Sequence, residues 1–295
     1  MAAGFSPSRM LHTHPCKTEQ NLLRCHAARV EWFVFDNPLE AEKIARLTPD
    51  VSLLLRLAVT GASSRLNLST KFGAPLEDAL EILQNARRLS LRVRGISFHV
   101  GSQCTDPEDY SAVLRTVRQF WNQATELGFK LEVLDIGGGF PAPYISRLPS
   151  MESFGQVVSN ALRESFGDLP IRLIAEPGRG LSAECTTLVT SVIGKSVRWG
   201  IPWYIIDDGL YGSFSGKVFD HSDYPLTYET RWGRELETCV VAGPTCDSSD
   251  VICRDQRLPS LDVGELLLVP SMRAYAGASA SPFNGIPVAR SIAID

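Results

Sequence analysis

The chain has 295 residues, 44% of them apolar and 21% charged, with a formal net charge of −4. That length holds one large or two moderate domains, and the near-neutral charge offers no polyanion-binding surface, so nucleic acid is not an expected partner. No apolar run reaches membrane-spanning length, no basic-then-apolar leader opens the chain, and the seven scattered cysteines lack a CxxC spacing; these point to a cytoplasmic protein with reduced thiols and no metal site.

In chain order, short apolar runs predict strands at Met10–His14, Trp32–Phe35, Ser52–Val59, Val93–Val100, Leu131–Ile136 and Ile171–Ala175. Between them, helical spacing predicts helices at Thr18–Ala28, Pro38–Leu47, Leu76–Leu89, Pro107–Leu127 and Met151–Phe166. Asp36-Asn37-Pro38 and Thr105-Asp106-Pro107 each offer a cap followed by proline in the first turn. Repeated βα units predict a parallel sheet or barrel. After about Leu181 the pattern changes to short β-branched and aromatic runs: Thr186–Ile193, Trp203–Asp207, Thr238–Ala242 and Glu265–Val269. That reads as a C-terminal antiparallel β domain, giving expected domains at residues 1–183 and 184–295. Six barrel-type strands are visible, whereas a (β/α)₈ barrel closes with eight.

Two segments carry most of the chemistry. LDIGGGF (Leu134–Phe140) and LIAEPGRG (Leu173–Gly180) are apolar runs of strand length that end in glycines. Such ends present backbone N–H groups with no side chain in front of them, as a bound phosphate requires. Two in succession suit the top of a (β/α)₈ barrel. Read alone, the glycines could equally serve tight turns, and Glu176 could cap its own turn or pair with Arg179. His99 at a strand end could be a satisfied interior histidine.

These two segments, with ISFHVGSQCTDP (Ile96–Pro107), DDGLYGSF (Asp207–Phe214), GPTCDSSD (Gly243–Asp250) and AYAGASASPFNG (Ala274–Gly285), resemble the ornithine/lysine/diaminopimelate/arginine decarboxylases. The resemblance runs from about Met10 to Gly285, and Asp247 in GPTCDSSD is similar to the ornithine/lysine branch. It implies an alanine-racemase-like fold, an α/β (β/α)₈-type TIM barrel followed by a β domain, with pyridoxal 5′-phosphate as cofactor. It also implies decarboxylation of L-ornithine to putrescine, or of L-lysine to cadaverine, in polyamine biosynthesis.

By the same resemblance, Glu176 pairs with the pyridinium nitrogen and His99 stacks on the ring. Ser102, Gly138, Gly139, Pro177, Gly178, Arg179 and Tyr275 form the rest of the cofactor-binding set. Cys246 is implied as proton donor to the carbon that loses its carboxylate. Asp247 and Asp220 read the distal ammonium of the substrate, beside Phe219 and Tyr211. The implied assembly is a homodimer whose loops carrying Cys246 and Asp247 reach into the partner's site.

The chain departs from the family pattern in one respect that bears on activity. The Schiff-base lysine, in a motif like YAVKCN, is matched by none of Lys17, Lys43, Lys71, Lys130, Lys195 or Lys217. Lys17 and Lys71 match family lysines that do not form the Schiff base. Arg273 also stands where the family usually has glycine. The expectation is an N-terminally truncated decarboxylase that begins inside its own barrel and turns over slowly. The alternative is a catalytically inactive homologue that binds a partner, as antizyme-inhibitor-like proteins do.

Overall fold

The computed structural model describes residues 4–144, 148–228 and 234–294. It divides into two compact units, Met1–Phe140 with Pro149–Pro177, and Pro141–Leu148 with Gly178–Asp295.

The first unit alternates strands and helices: β1 (Leu11–His12), α1 (Glu19–Ala27), β2 (Trp32–Phe35), α2 (Pro38–Leu47), β3 (Ser52–Arg56), α3 (Leu76–Arg88), β4 (Arg92–Ser97), α4 (Glu108–Glu126), β5 (Val133–Asp135), α5 (Met151–Phe166) and β6 (Arg172–Ile174). The six strands pair in parallel in chain order, forming a curled half-barrel. Leu53, Leu54 and Leu55 are all buried, so β3 is covered on both faces, as strands of parallel sheets are. The helices supply that cover: Tyr110, Leu114, Val117 and Trp121 of α4 recur at helical spacing and are buried.

Helix starts follow local chemistry. Thr18 Oγ1 accepts from Asn21 N at 3.1 Å, Asn37 Oδ1 from Glu40 N at 2.9 Å, and Ser150 Oγ from Ser153 N at 3.1 Å. At the start of α4 the cap moves: Pro107 takes the cap position, and Asp106 Oδ1 accepts from Glu108 N at 3.0 Å.

The second unit holds β7 (Leu188–Arg198), β8 (Ile201–Ile206), β9 (Thr227–Tyr228), β10 (Leu236–Ala242), β11 (Val251–Pro259) and β12 (Leu266–Val269), in the order β9-β12-β7-β8-β10-β11. β7 and β8 form a hairpin through Trp199 (φ 52°) and Gly200 (φ 80°), the paired positive φ of a type I′ turn. The sheet is not wholly antiparallel as expected. β8 and β10 run parallel, Trp203 opposite Val240, because the long connection from Ile206 to Leu236 returns the chain in the same direction. The core beneath the sheet includes Tyr204, Phe214, Val241, Leu258 and Leu267.

Candidate active site

In the first unit, the C-terminal ends of β4, β5 and β6 bring His99, Asp135 with the glycine triplet, and Glu176 together. Glu176 N donates to Gly137 O at 2.8 Å, tying the two glycine-ended segments to each other. The glycines are needed for this approach. A Cβ at Gly138 would lie 2.7 Å from Glu176 O and 3.0 Å from His99 Nε2, and one at Gly137 (φ 63°) would lie 2.2 Å from Phe98 O. Their carbonyls are occupied: Tyr110 Oη donates to Gly138 O at 3.1 Å, and Cys104 N to Gly139 O at 2.9 Å. The N–H groups of Gly138 and Gly139 have no partner among the described residues. Turn packing and an available donor pair therefore coexist at the same positions.

His99 Nδ1 accepts from Gly101 N at 3.0 Å, which puts the ring proton on Nε2. Burial, assisted by Arg56, pulls its pKa down to about 4, so the imidazole is uncharged at neutral pH. Asp135 is fully buried at the end of β5, and Gly137 N donates to its Oδ1 at 2.9 Å. Its Oδ2 has no hydrogen-bond donor. Burial and the neighbouring Glu176 carboxylate push the Asp135 pKa up to about 8, so the pair holds a proton near neutral pH. Glu176 itself is exposed, because β6 is an edge strand of the sheet.

Asp135 and Arg56 were not among the candidate residues. Each left a signal, as a charged residue closing an apolar strand (LEVLD, LLLR).

Ser102 lies in a short two-stranded ribbon, opposite Leu66. Lys17 is buried: its Nζ donates to the carbonyls of His14, Pro15 and Val34 at 3.0, 3.2 and 2.6 Å, and pairs with Glu40 Oε1 at 2.9 Å. Desolvation lowers its pKa, against the pull of Glu40.

The second unit gathers two further groups. Arg179 is buried, donates to Tyr144 Oη at 2.9 Å, pairs with Asp220 Oδ2 at 3.0 Å and lies 5.1 Å from the Tyr275 ring centre. Gly178 closes on the same tyrosine, since a Cβ there would lie 2.7 Å from Tyr275 Oη. Tyr275 is left-handed (φ 64°). Asp220 pairs with Arg179 within the chain, and Phe219 beside it is exposed.

The other group joins Tyr211, Cys246 and Asp247. Tyr211 Oη donates to Asp247 Oδ2 at 2.5 Å, holding that carboxylate below its usual range and the phenol above its own. Cys246 N donates to Asn284 Oδ1 at 3.0 Å, and Tyr211 stacks on Phe283 with ring centres 4.3 Å apart.

Residues 1–183 match the family described as pyridoxal-dependent decarboxylase, pyridoxal binding domain. A lysine/ornithine decarboxylase of Selenomonas ruminantium is 38% identical over 98% of this chain and 73% of its own length. An ornithine decarboxylase of Mus pahari (35%) and an antizyme inhibitor 2 of Xenopus laevis (37%) each match 96% of this chain, which spans 65% of their length. The crystal structure of a Vibrio vulnificus lysine/ornithine decarboxylase with putrescine has a TM-score of 0.90 at 39% identity, covering 100% of this chain and 77% of that one. The arginine decarboxylase of Paramecium bursaria Chlorella virus bound to agmatine has a TM-score of 0.90 at 32% identity, covering 97% and 77%. The chain belongs to the pyridoxal-dependent decarboxylase family, in its ornithine/lysine branch, and pyridoxal phosphate is its cofactor.

Proposed function

We propose that the chain decarboxylates a basic amino acid, with L-ornithine or L-lysine as substrate. The observation that carries this reading is the convergence of His99, Asp135, Glu176 and the free N–H groups of Gly138 and Gly139 at the strand ends of the first unit. These residues fit pyridoxal phosphate: a carboxyl pair that holds a proton suits a ring nitrogen, an uncharged imidazole suits an aromatic face, and paired N–H donors suit a phosphate. When bound, that group supplies the electron sink for the charge left when carboxylate departs. Glu176 would hold the ring-nitrogen proton, backed by Asp135, and His99 would fix the ring plane. Gly138, Gly139 and Ser102 are assigned to the phosphate.

In the second unit, Cys246 would deliver the proton that replaces the departing carboxylate, and Asp247 would bind the distal ammonium. Asp247 is suited to that by its depressed pKa, which keeps it ionised. The assembly proposed is a two-fold dimer in which these two residues serve the partner copy's site. The cytoplasm is the proposed location.

A second reading is favoured by one observation. Lys17 spends its amine on three carbonyls and Glu40, so it is not poised as a Schiff-base nucleophile. On that reading the chain is an inactive binding homologue, like the antizyme inhibitor it resembles. Carbon dioxide release from carboxyl-labelled L-ornithine and L-lysine, with saturating cofactor, separates the two. Slow release that depends on the substrate and is lost in Glu176→Gln supports the enzyme. Cofactor binding without release supports the binding homologue.

A further inference from the structure

Asp250 is a buried carboxylate of the second unit that the functional reading does not use. It is 2% exposed, and no basic side chain among the described residues pairs with it. Its Oδ1 accepts from Leu210 N at 2.8 Å. Its Oδ2 accepts from Thr245 N at 3.2 Å and from Thr245 Oγ1 at 2.7 Å. Its own N–H donates to Asp247 O at 3.0 Å, and Gly243 N donates to its carbonyl at 2.8 Å.

Two glycines make room for this carboxylate. A Cβ at Gly209 would lie 2.5 Å from Asp250 Oδ1, and one at Gly243 would lie 2.3 Å from it. One side chain thus holds two loops: Gly209–Tyr211 through Oδ1, and Thr245–Asp247 through Oδ2. The same loops meet again where Tyr211 Oη donates to Asp247 Oδ2. The circuit is closed: Asp250 sets Leu210, Leu210 precedes Tyr211, Tyr211 holds the Asp247 side chain, and Asp250 N holds the Asp247 carbonyl. A buried carboxylate is costly unless donors surround it, and among the described residues of this chain all of its side-chain donors come from these two loops.

We propose that Asp250 is a positioning residue that sets the aim of Asp247 and Cys246 by locking the Tyr211 loop onto the Cys246–Asp247 loop. This rests on the proposed function for what the aimed residues do, but the aiming can be read without any turnover. Asp250 touches no substrate in this account; it acts through Leu210, Thr245 and Tyr211.

The test is a double-mutant cycle read by NMR on the full chain labelled with [¹³Cζ]tyrosine. The Tyr211 resonance, assigned by its loss in Tyr211→Phe, reports the bond to Asp247. Asp247→Asn moves it toward the position of a free, exposed tyrosine. If Asp250 aims Asp247, Asp250→Ala produces the same shift, and the double variant shifts no further than either single one. An unchanged Tyr211 resonance in a folded Asp250→Ala chain overturns the inference, as do additive shifts. Should Asp250→Ala fail to fold, Thr245→Val keeps the charge, removes one of the three donors, and must give a partial shift in the same direction; no shift overturns the inference. Where carbon dioxide release is measurable, Asp250→Ala should raise KM for the diamino acid about tenfold or more. Loss of the NMR coupling refutes the aiming itself, whereas an inactive unmutated chain with the coupling intact refutes only the enzymatic reading.

Discussion

The carboxyl groups of Asp135 and Glu176 stand side by side at the ends of two adjacent parallel strands, and the buried Asp135 keeps its proton at neutral pH. The buried Asp135 keeps its proton up to about pH 8, whereas in the unfolded chain it titrates near the ordinary aspartate value of about 4.

This sets the sign of a pH dependence. Between those two values the folded chain binds the extra proton, so stability falls as pH rises, by up to about 1.4 kcal/mol per pH unit. Asp135→Asn keeps an acceptor for Gly137 N and removes the titration. Urea unfolding at pH 5, 6, 7 and 8 should therefore show a falling stability in the unmutated chain and a flatter profile in the variant.

The glycine triplet predicts a contrast with a glycine elsewhere in the unit. Gly138→Ala drives a Cβ against the Glu176 carbonyl and should cost about 2–3 kcal/mol. Gly155 lies within α5 and meets nothing within 4 Å, so Gly155→Ala should stabilise by about 0.5–1 kcal/mol. Thermal melts of the two variants should move in opposite directions.

Lys17 is predicted to be structural. Lys17→Met leaves Glu40, itself 3% exposed, with Lys43 alone, and should cost about 3–5 kcal/mol in chemical unfolding. The cofactor's absorbance spectrum should be unaffected in the folded fraction. A stable variant that loses a cofactor absorbance shift would instead make Lys17 the Schiff-base residue.

The proposed sharing of sites between copies is tested by mixing. Glu176→Gln and Cys246→Ala chains, each impaired alone, should regain up to about a quarter of the unmutated rate when their dimers are exchanged, because half of the dimers are mixed and each restores one site. No recovery on mixing would place both residues in one copy's site.

Much of this was legible in the sequence, for identifiable reasons. Trp32–Phe35 was bounded correctly as a short apolar run, Pro38–Leu47 because cap, proline and periodicity agreed, and Met151–Phe166 by its helical spacing. Val251–Pro259 was missed because its centre, Arg254-Asp255-Gln256-Arg257, is polar: β11 is an edge strand whose middle faces solvent, so the apolar alternation that marks a strand is absent. The parallel β8–β10 pair depends on a long connection, which local patterns do not encode. The motifs singled out His99, the glycines and Glu176, which the strand ends of the first unit bring together. Asp135 and Arg56 went unnoticed because their roles come from burial beside Glu176 and His99, which only the parallel register of β3, β4, β5 and β6 creates.

The most direct test of the account is equilibrium binding of pyridoxal phosphate to the purified chain, followed by dialysis or calorimetry without any substrate. The account predicts saturable binding at one site per chain, weakened about tenfold or more in Glu176→Gln and in His99→Ala, with the fold intact by circular dichroism. Absence of saturable binding, or binding that both variants leave unchanged, would contradict it.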